Sequence, residues 1–162
     1  MSIIEGGALT MNPVPIELAE AIDRYLREGG ERTADVSVSC SPDLVVRIDA
    51  QHLGRIIDNY VQNALKYGEP PVRVEAARLG DLVELRVSDH GPGVPADFVP
   101  QLFGKFARAD TPSTRAKKGT GLGLSIVHGL AEANGGEARY EPNSPNGACF
   151  IVRLRAVGGA LP

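Results

Sequence analysis

Three groups of residues carry side chains whose types and spacing could do chemistry. Asn59, Asn63 and Lys66 lie at i, i+4 and i+7 within residues 51–67, QHLGRIIDNYVQNALKY, so on a helix they share one side. Asparagine is a weak helix former, because its amide competes for nearby backbone hydrogen bonds. Two of them one turn apart have one of two uses: capping and bridging to loops, or a polar row that faces a bound ion or charged ligand. The second group is Asp89-His90-Gly91-Pro92-Gly93. A carboxylate there can accept a hydrogen bond from an exocyclic amine such as that of adenine, and the glycines leave room for a flat ring against the backbone. The competing use is a plain turn. The third group is Gly119-Thr120-Gly121-Leu122-Gly123-Leu124, at the start of an amphipathic stretch. Glycines there let backbone N–H groups approach an anion, and a helix start adds unpaired donors and a favourable dipole. No Gly-Lys-Ser/Thr follows, so this is not a Walker loop, and a polar loop rather than a strand feeds it, so it is not a dinucleotide fingerprint.

The elements that must position these groups follow from periodicity. In residues 51–67 the apolar Leu53, Ile56, Ile57, Tyr60, Val61, Ala64 and Leu65 recur at helical spacing, Asp49 can cap the start, and Gly68, Pro70 and Pro71 end it. Residues 72–77 and 82–88 alternate apolar and polar side chains with a turn at residues 78–81, and the second strand runs straight into Asp89. Residues 1–15 read as an irregular lead-in, residues 16–28 as a helix with Ile16, Ala19, Ile22 and Leu26 on one face, and residues 35–40 and 44–48 as a hairpin around Ser41-Pro42-Asp43. A short helix is expected over residues 96–103, an exposed loop over 107–119, a helix over 121–134 with Leu122, Ile126, Leu130 and Ala133 on one side, and strands over 137–140 and 148–155. This order is not a regular βαβ alternation. It predicts an α+β, two-layer α/β sandwich: a mixed, mostly antiparallel sheet with helices on one face. Residues 1–30 are expected to be a connector and N-terminal helix, 31–156 the functional domain and 157–162 a flexible tail.

The bulk numbers suit one soluble globular domain: 162 residues, 43% hydrophobic and 23% charged. A net charge of −3 gives no sign of nucleic-acid binding. Cys40 and Cys149 lack metal-ligand spacing and read as small buried hydrophobes in a cytoplasmic, reducing setting. Neither a signal peptide nor a membrane-spanning run is visible, so the chain is expected to be cytoplasmic, reaching the inner face of a membrane only through another segment or partner.

The combination is more specific than its parts. A helix with Asn59 and Asn63, then Asp89-x-Gly91-x-Gly93, then Phe103 and Phe106, then Gly119-x-Gly121-x-Gly123 resembles the catalytic, ATP-binding domain of two-component sensor histidine kinases (the GHKL fold), over roughly residues 35–156. In order these match the family's N, G1, F and G2 boxes. The resemblance implies ATP and Mg²⁺ as ligands. Asn63 would coordinate the metal, with Asn59 and Lys66 near the phosphates; Tyr67 would lie close to the nucleotide and Asp89 would read the adenine amine beside Gly91 and Gly93. The backbone from Gly119 through Thr120, Gly121, Leu122, Gly123 and Leu124 would face the phosphates, and Lys105 and Arg108 match basic positions that reach toward the γ-phosphate. Phe103 and Phe106 would anchor a lid over residues 107–119, where Arg115, Lys117 and Lys118 read as a solvated basic loop.

Relatives that hydrolyse ATP, such as gyrase, MutL and the heat-shock chaperones, carry a glutamate at the position of Asn59. An amide cannot act as a general base, which favours transfer to a protein acceptor over hydrolysis. Asp58 is displaced about 100° around the helix and is not assigned that task. None of His52, His90 and His128 is followed by the acidic residue that marks the family's acceptor histidine. The expected partners are therefore a histidine-bearing dimerisation domain, in trans or in a missing segment, and a downstream response regulator; alone, the chain is expected to be monomeric. Two alternatives remain at this point: an anti-sigma-type serine kinase, against which Phe103 and Phe106 argue, and a nucleotide-binding regulatory module without transfer.

Overall fold

The computed structural model describes residues 11–103 and 123–157. Its strands are β1 (Pro13–Glu17), β2 (Val36–Cys40), β3 (Val45–Asp49), β4 (Val72–Leu79), β5 (Leu82–Ser88), β6 (Glu137–Pro142) and β7 (Ala148–Arg155). The helices are α1 (Leu18–Gly29), α2 (Ala50–Tyr67) and α3 (Gly123–Ala133). Five strands form one sheet in the order β2-β4-β5-β7-β6, parallel only between β2 and β4. This is the expected mixed, mostly antiparallel sheet of an α+β sandwich.

Alternation gives the sheet two faces. Val72, Val74, Val83, Leu85, Val87, Phe150, Val152 and Leu154 are buried on the side that meets the helices. On the other side Glu84 accepts from Arg86 (2.9 Å) on its own strand and Arg153 (2.9 Å) on β7, while Arg86 also reaches Glu141 (3.0 Å) on β6. Burial pushes the Glu84 carboxyl up, but its bonds from Arg86 and Arg153 outweigh this and hold it below the ordinary glutamate range. Cys149 is buried and Cys40 half-buried, both as free thiols, and burial pushes the Cys149 thiol up to about 11.

Helix α2 lies at the centre of the helical layer. Leu53, Ile56, Ile57, Tyr60, Val61 and Ala64 are buried, as the periodicity predicts. The Tyr60 hydroxyl donates to the Ile151 carbonyl at 2.7 Å, tying α2 to the middle of β7. Asp49 caps α2: its Oδ1 accepts from the N–H groups of Gln51 (2.9 Å) and His52 (3.3 Å), and its Oδ2 from that of Asn12 (2.9 Å). Burial raises this carboxyl, but the bonds from Asn12, His52 and Gln51 prevail and hold it below the ordinary aspartate range.

Three expectations are corrected. Residues 35–40 and 44–48 do not form a hairpin: β2 pairs in parallel with β4, and β3 pairs antiparallel with β1. Residues 13–15, expected to be irregular, belong to β1. Pro13 and Pro15 share one parity, and the ladder runs through the other, as the Leu18 N–H to Leu44 carbonyl bond (3.0 Å) shows. The missing proline donors therefore point away from β3, where they cost no ladder bond. In α3 the buried face is Val127, Leu130 and Ala131, rotated from the expected Ile126, Leu130 and Ala133; Ala133 is exposed, and Leu122 lies outside the described residues. Residues 96–103 hold one short 3₁₀ turn, Val99–Gln101. Helix α1 follows directly from β1 and buries Leu18 and Ile22 completely in the core.

Candidate functional site

Asp89 is the residue immediately after β5, and its N–H continues the ladder by donating to the Ala148 carbonyl at 2.9 Å. The residue is only 2% exposed. The Gly91 N–H donates to Oδ1 at 2.8 Å, closing a tight turn around the carboxylate. Burial pushes this carboxyl above the ordinary aspartate range, against the opposing pull of backbone N–H groups led by Gly91. Among the described residues no Lys, Arg or His forms an ion pair with it. A buried carboxylate without an ion-pair partner is costly to the fold and is a recognised mark of a site that awaits a donor.

Backbone without side chains packs against that carboxylate. Gly68, just past α2, lies so close that a Cβ there would collide with the Asp89 carboxyl carbon, and a Cβ on Gly91 would stand 2.8 Å from the Gly68 Cα. The His90 N–H donates to the Glu69 carbonyl at 2.9 Å, and His90 Nδ1 lies 3.1 Å from the Pro71 carbonyl oxygen. The residues just after α2 are thus laced to the Asp89 turn. Sequence reasoning read Gly68 only as a helix stop.

The turn is also held from its far side by the β6–β7 loop, which the sequence reading left without a role. Asn143 Nδ2 donates to the Asp89 carbonyl at 2.7 Å, and Asn146 Nδ2 to the carbonyls of His90 (2.6 Å) and Gly91 (3.2 Å). Gly147, at φ +111°, presses on the Asp89 carbonyl where any Cβ would collide. The cue in the sequence was Asn143-Ser144-Pro145-Asn146-Gly147, a run of turn-forming residues whose partner cannot be read from its own spacing.

The polar row of α2 is formed as expected. Asn59 is half-buried, and its Nδ2 donates to the Arg55 carbonyl at 2.9 Å, one turn back. That bond turns Oδ1 toward Gly123 at the start of α3, where a Cβ would stand 3.1 Å away. Asn63 and Tyr67 are half-buried and Lys66 is exposed. The Asn63 amide has no hydrogen-bond partner among the described residues. Asp58 points elsewhere, accepting from the Tyr25 hydroxyl of α1 at 2.6 Å, so it is not turned toward a reacting water.

Helix α2 therefore meets both glycine-rich stretches, Gly123 at Asn59 and the Asp89 turn at Gly68. Nine residues separate those contacts, roughly 14 Å along the helix axis, a separation that suits an extended ligand with a flat polar ring at one end and anionic groups at the other. Leu124 is half-buried in the first turn of α3. Phe103 is half-buried, its ring centroid 6.1 Å from that of His128 on α3. Lys105, Phe106, Arg108, Arg115, Lys117, Lys118, Gly119, Thr120, Gly121 and Leu122 lie outside the described residues.

Residues 48–158 match the family described as histidine kinase-, DNA gyrase B-, and HSP90-like ATPase. The chain belongs to this family. Within it the similarity is to sensor kinases. The chain is 38% identical over 142 residues to the sensor histidine kinase component HK1 of Mycobacterium tuberculosis (strain ATCC 25618 / H37Rv), spanning 88% of this chain and 81% of that protein. The solved structure of the mycobacterial sensor histidine kinase MprB superposes with a TM-score of 0.74 at 29% identity, covering 90% of this chain and 98% of the other. Full-length ShkA in complex with AMPPNP gives a TM-score of 0.77 at 26% identity over 96% of this chain, which spans 33% of that one. This ATPase-family chain is a catalytic, ATP-binding domain of the sensor histidine kinase type. Among its described residues no helix is long and apolar enough to cross a membrane, and no group of three or more His, Cys, Asp or Glu could hold a metal ion. Magnesium keeps several waters and relies on phosphate oxygens, so one neutral amide oxygen would suffice as its protein ligand. The half-buried Asn63 amide, without a hydrogen-bond partner among the described residues, would fit that role.

Proposed function

We propose that this domain binds Mg²⁺-ATP between α2, the Asp89 turn and the start of α3, and donates the γ-phosphoryl group to a histidine. That histidine would sit on a dimerisation domain in another segment or another chain, which would pass the phosphoryl group to a response regulator. The observation that carries the reading is the buried Asp89 carboxylate, free of ion pairs among the described residues and set against the bare backbone of Gly68 and Gly91. Asp89 accepts from the exocyclic amine of adenine, and the absence of side chains at 68 and 91 gives the ring its place. Asn63 holds Mg²⁺ through its amide oxygen, and Asn59 and Lys66 line the approach to the phosphates. Tyr67 flanks the nucleotide. Gly119 to Leu124 contribute backbone donors to the phosphates, and Lys105 and Arg108 offer positive charge to the γ-phosphate. The metal supplies neutralisation of charge on the phosphate oxygens. The protein's part is positioning and electrostatic stabilisation, with no side chain among the described residues placed to activate water.

The test is calorimetry with ATP, ADP and GTP, with and without Mg²⁺, followed by incubation of labelled ATP with histidine-bearing dimerisation domains. Asp89→Asn and Asn63→Asp should each weaken ATP binding at least about tenfold, the equivalent of one charge-assisted hydrogen bond or ligand contact. Acid-labile label on a dimerisation domain supports transfer to histidine. Acid-stable label on serine, or unchanged ATP affinity in both variants, overturns it.

A further inference from the structure

We infer that Asn143 and Asn146 are positioning residues for base recognition, setting the aim of Asp89 from behind. The inference rests on the reading of Asp89 as the adenine acceptor. Three consecutive carbonyls, those of Asp89, His90 and Gly91, accept hydrogen bonds from two amides of a single loop. The loop is shaped to deliver them: the Asn143 N–H donates to the Gly147 carbonyl at 3.1 Å, closing it, and Gly147 lies against the Asp89 carbonyl. A Cβ on Gly93 would stand 2.9 Å from the Gly147 carbonyl oxygen, so the loop touches both ends of the turn. With all three carbonyls engaged on the loop side, the N–H of Gly91 is left facing the Asp89 carboxylate, to which it donates at 2.8 Å. The orientation of that carboxylate thus depends on donors that touch neither the base nor the phosphates. Asn146 is an exposed residue whose side chain contributes through these two bonds and not through burial. Losing them frees the backbone that carries the base acceptor while leaving α2 and the start of α3 in place.

The consequence is specific to one end of the ligand. Removing the donors should reduce affinity for the adenine end and the preference for ATP over GTP, while the ratio of ATP to ADP affinity, which reads the phosphate end, stays as it is. The experiment uses the whole chain with Asn146→Ala, Asn146→Asp and the double variant Asn143→Ala/Asn146→Ala, each titrated with ATP, ADP and GTP and melted in parallel. Asn146→Asp keeps the shape but replaces a donor with an acceptor, so it should be the worse of the two single changes. The expected result is ATP binding weakened about threefold in Asn146→Ala, which loses two hydrogen bonds to the turn, and about tenfold in the double variant, which loses three. The ATP-to-GTP ratio should narrow and the ATP-to-ADP ratio stay unchanged. If the double variant does not fold, the exposed single variants decide. ATP affinity and ATP-to-GTP ratio unchanged within about twofold in the folded variants overturns the inference, and so does a uniform fall for all three nucleotides, which marks a merely structural loop. Wild-type protein that binds no ATP, or binds it equally well as Asp89→Asn, overturns the underlying reading instead.

Discussion

Gly68 and Asp89 are packed in contact: the α-carbon just past α2 lies where only a hydrogen can separate it from the carboxyl group. The backbone of Gly68 is extended, φ −99° and ψ −164°, a conformation open to any residue. A change to alanine thus meets no backbone strain, and its whole effect is collision. Gly68→Ala should displace the Asp89 carboxylate, lower stability by about 1–3 kcal/mol as an overpacked substitution does, and weaken ATP binding at least about tenfold. Calorimetry and thermal melting of the same sample check both halves.

Asp89 is expected to cost the empty domain stability. Its folded pKa is raised by burial, so the folded state holds the proton more tightly than the unfolded chain. The associated stability is present below the ordinary aspartate pKa and is lost as pH rises through the folded value. Relative to Asp89→Asn, the wild type should therefore lose stability as pH rises through the interval just above that ordinary value. Denaturant titrations of both proteins across this range measure the difference. At neutral pH Asp89→Asn should melt no lower than wild type while binding ATP poorly, a trade of stability for function.

Tyr60→Phe removes the hydroxyl that donates to the Ile151 carbonyl at 2.7 Å and leaves the ring in its place. The ring packs on Phe150, centroids 5.7 Å apart. The expected cost is about 1 kcal/mol of stability, the net worth of one such bond, with nucleotide affinity unchanged. Chemical denaturation and calorimetry separate the two.

Asn134 joins the two helices that bracket the site. It is 7% exposed; its Oδ1 accepts from the Asp49 N–H (3.2 Å), and its Nδ2 lies 2.9 Å from His52 Nδ1 and donates to the Leu130 carbonyl at 2.8 Å. Asn134→Ala strands these groups at the start of α2 and the end of α3. A loss of about 1–3 kcal/mol is expected, with faster amide exchange in the first turn of α2 as the local signature.

Local chemistry made α2, β4, β5 and the Asp89 turn readable in advance, because each of these carries its own period and its own punctuation. The pairing of β2 and β3 was not readable. Their turn at Ser41-Pro42-Asp43 fits a hairpin, but the partners that win are β4 and β1, and strand pairing is a long-range choice that period two does not encode. β1 was hidden because two prolines normally argue against a strand, and only the register reveals that both fall on the parity that needs no donor. The asparagines behind Asp89 were missed for a related reason. Asn143 and Asn146 look like turn formers from their own neighbourhood, and their partners lie 54 to 56 residues away. The face of α3 was misjudged by about one residue, since a helix that is apolar on several sides leaves the choice to its neighbours.

The last rung between β5 and β7 joins Ser88 to Cys149, and Asp89 is the very next residue. The proposed base acceptor therefore takes its position from a five-stranded ladder rather than from a loop that a ligand must first arrange. Inserting one residue within β5 would swing that carboxylate to the side where Glu84 and Arg86 meet solvent, and no concentration of nucleotide could bring it back.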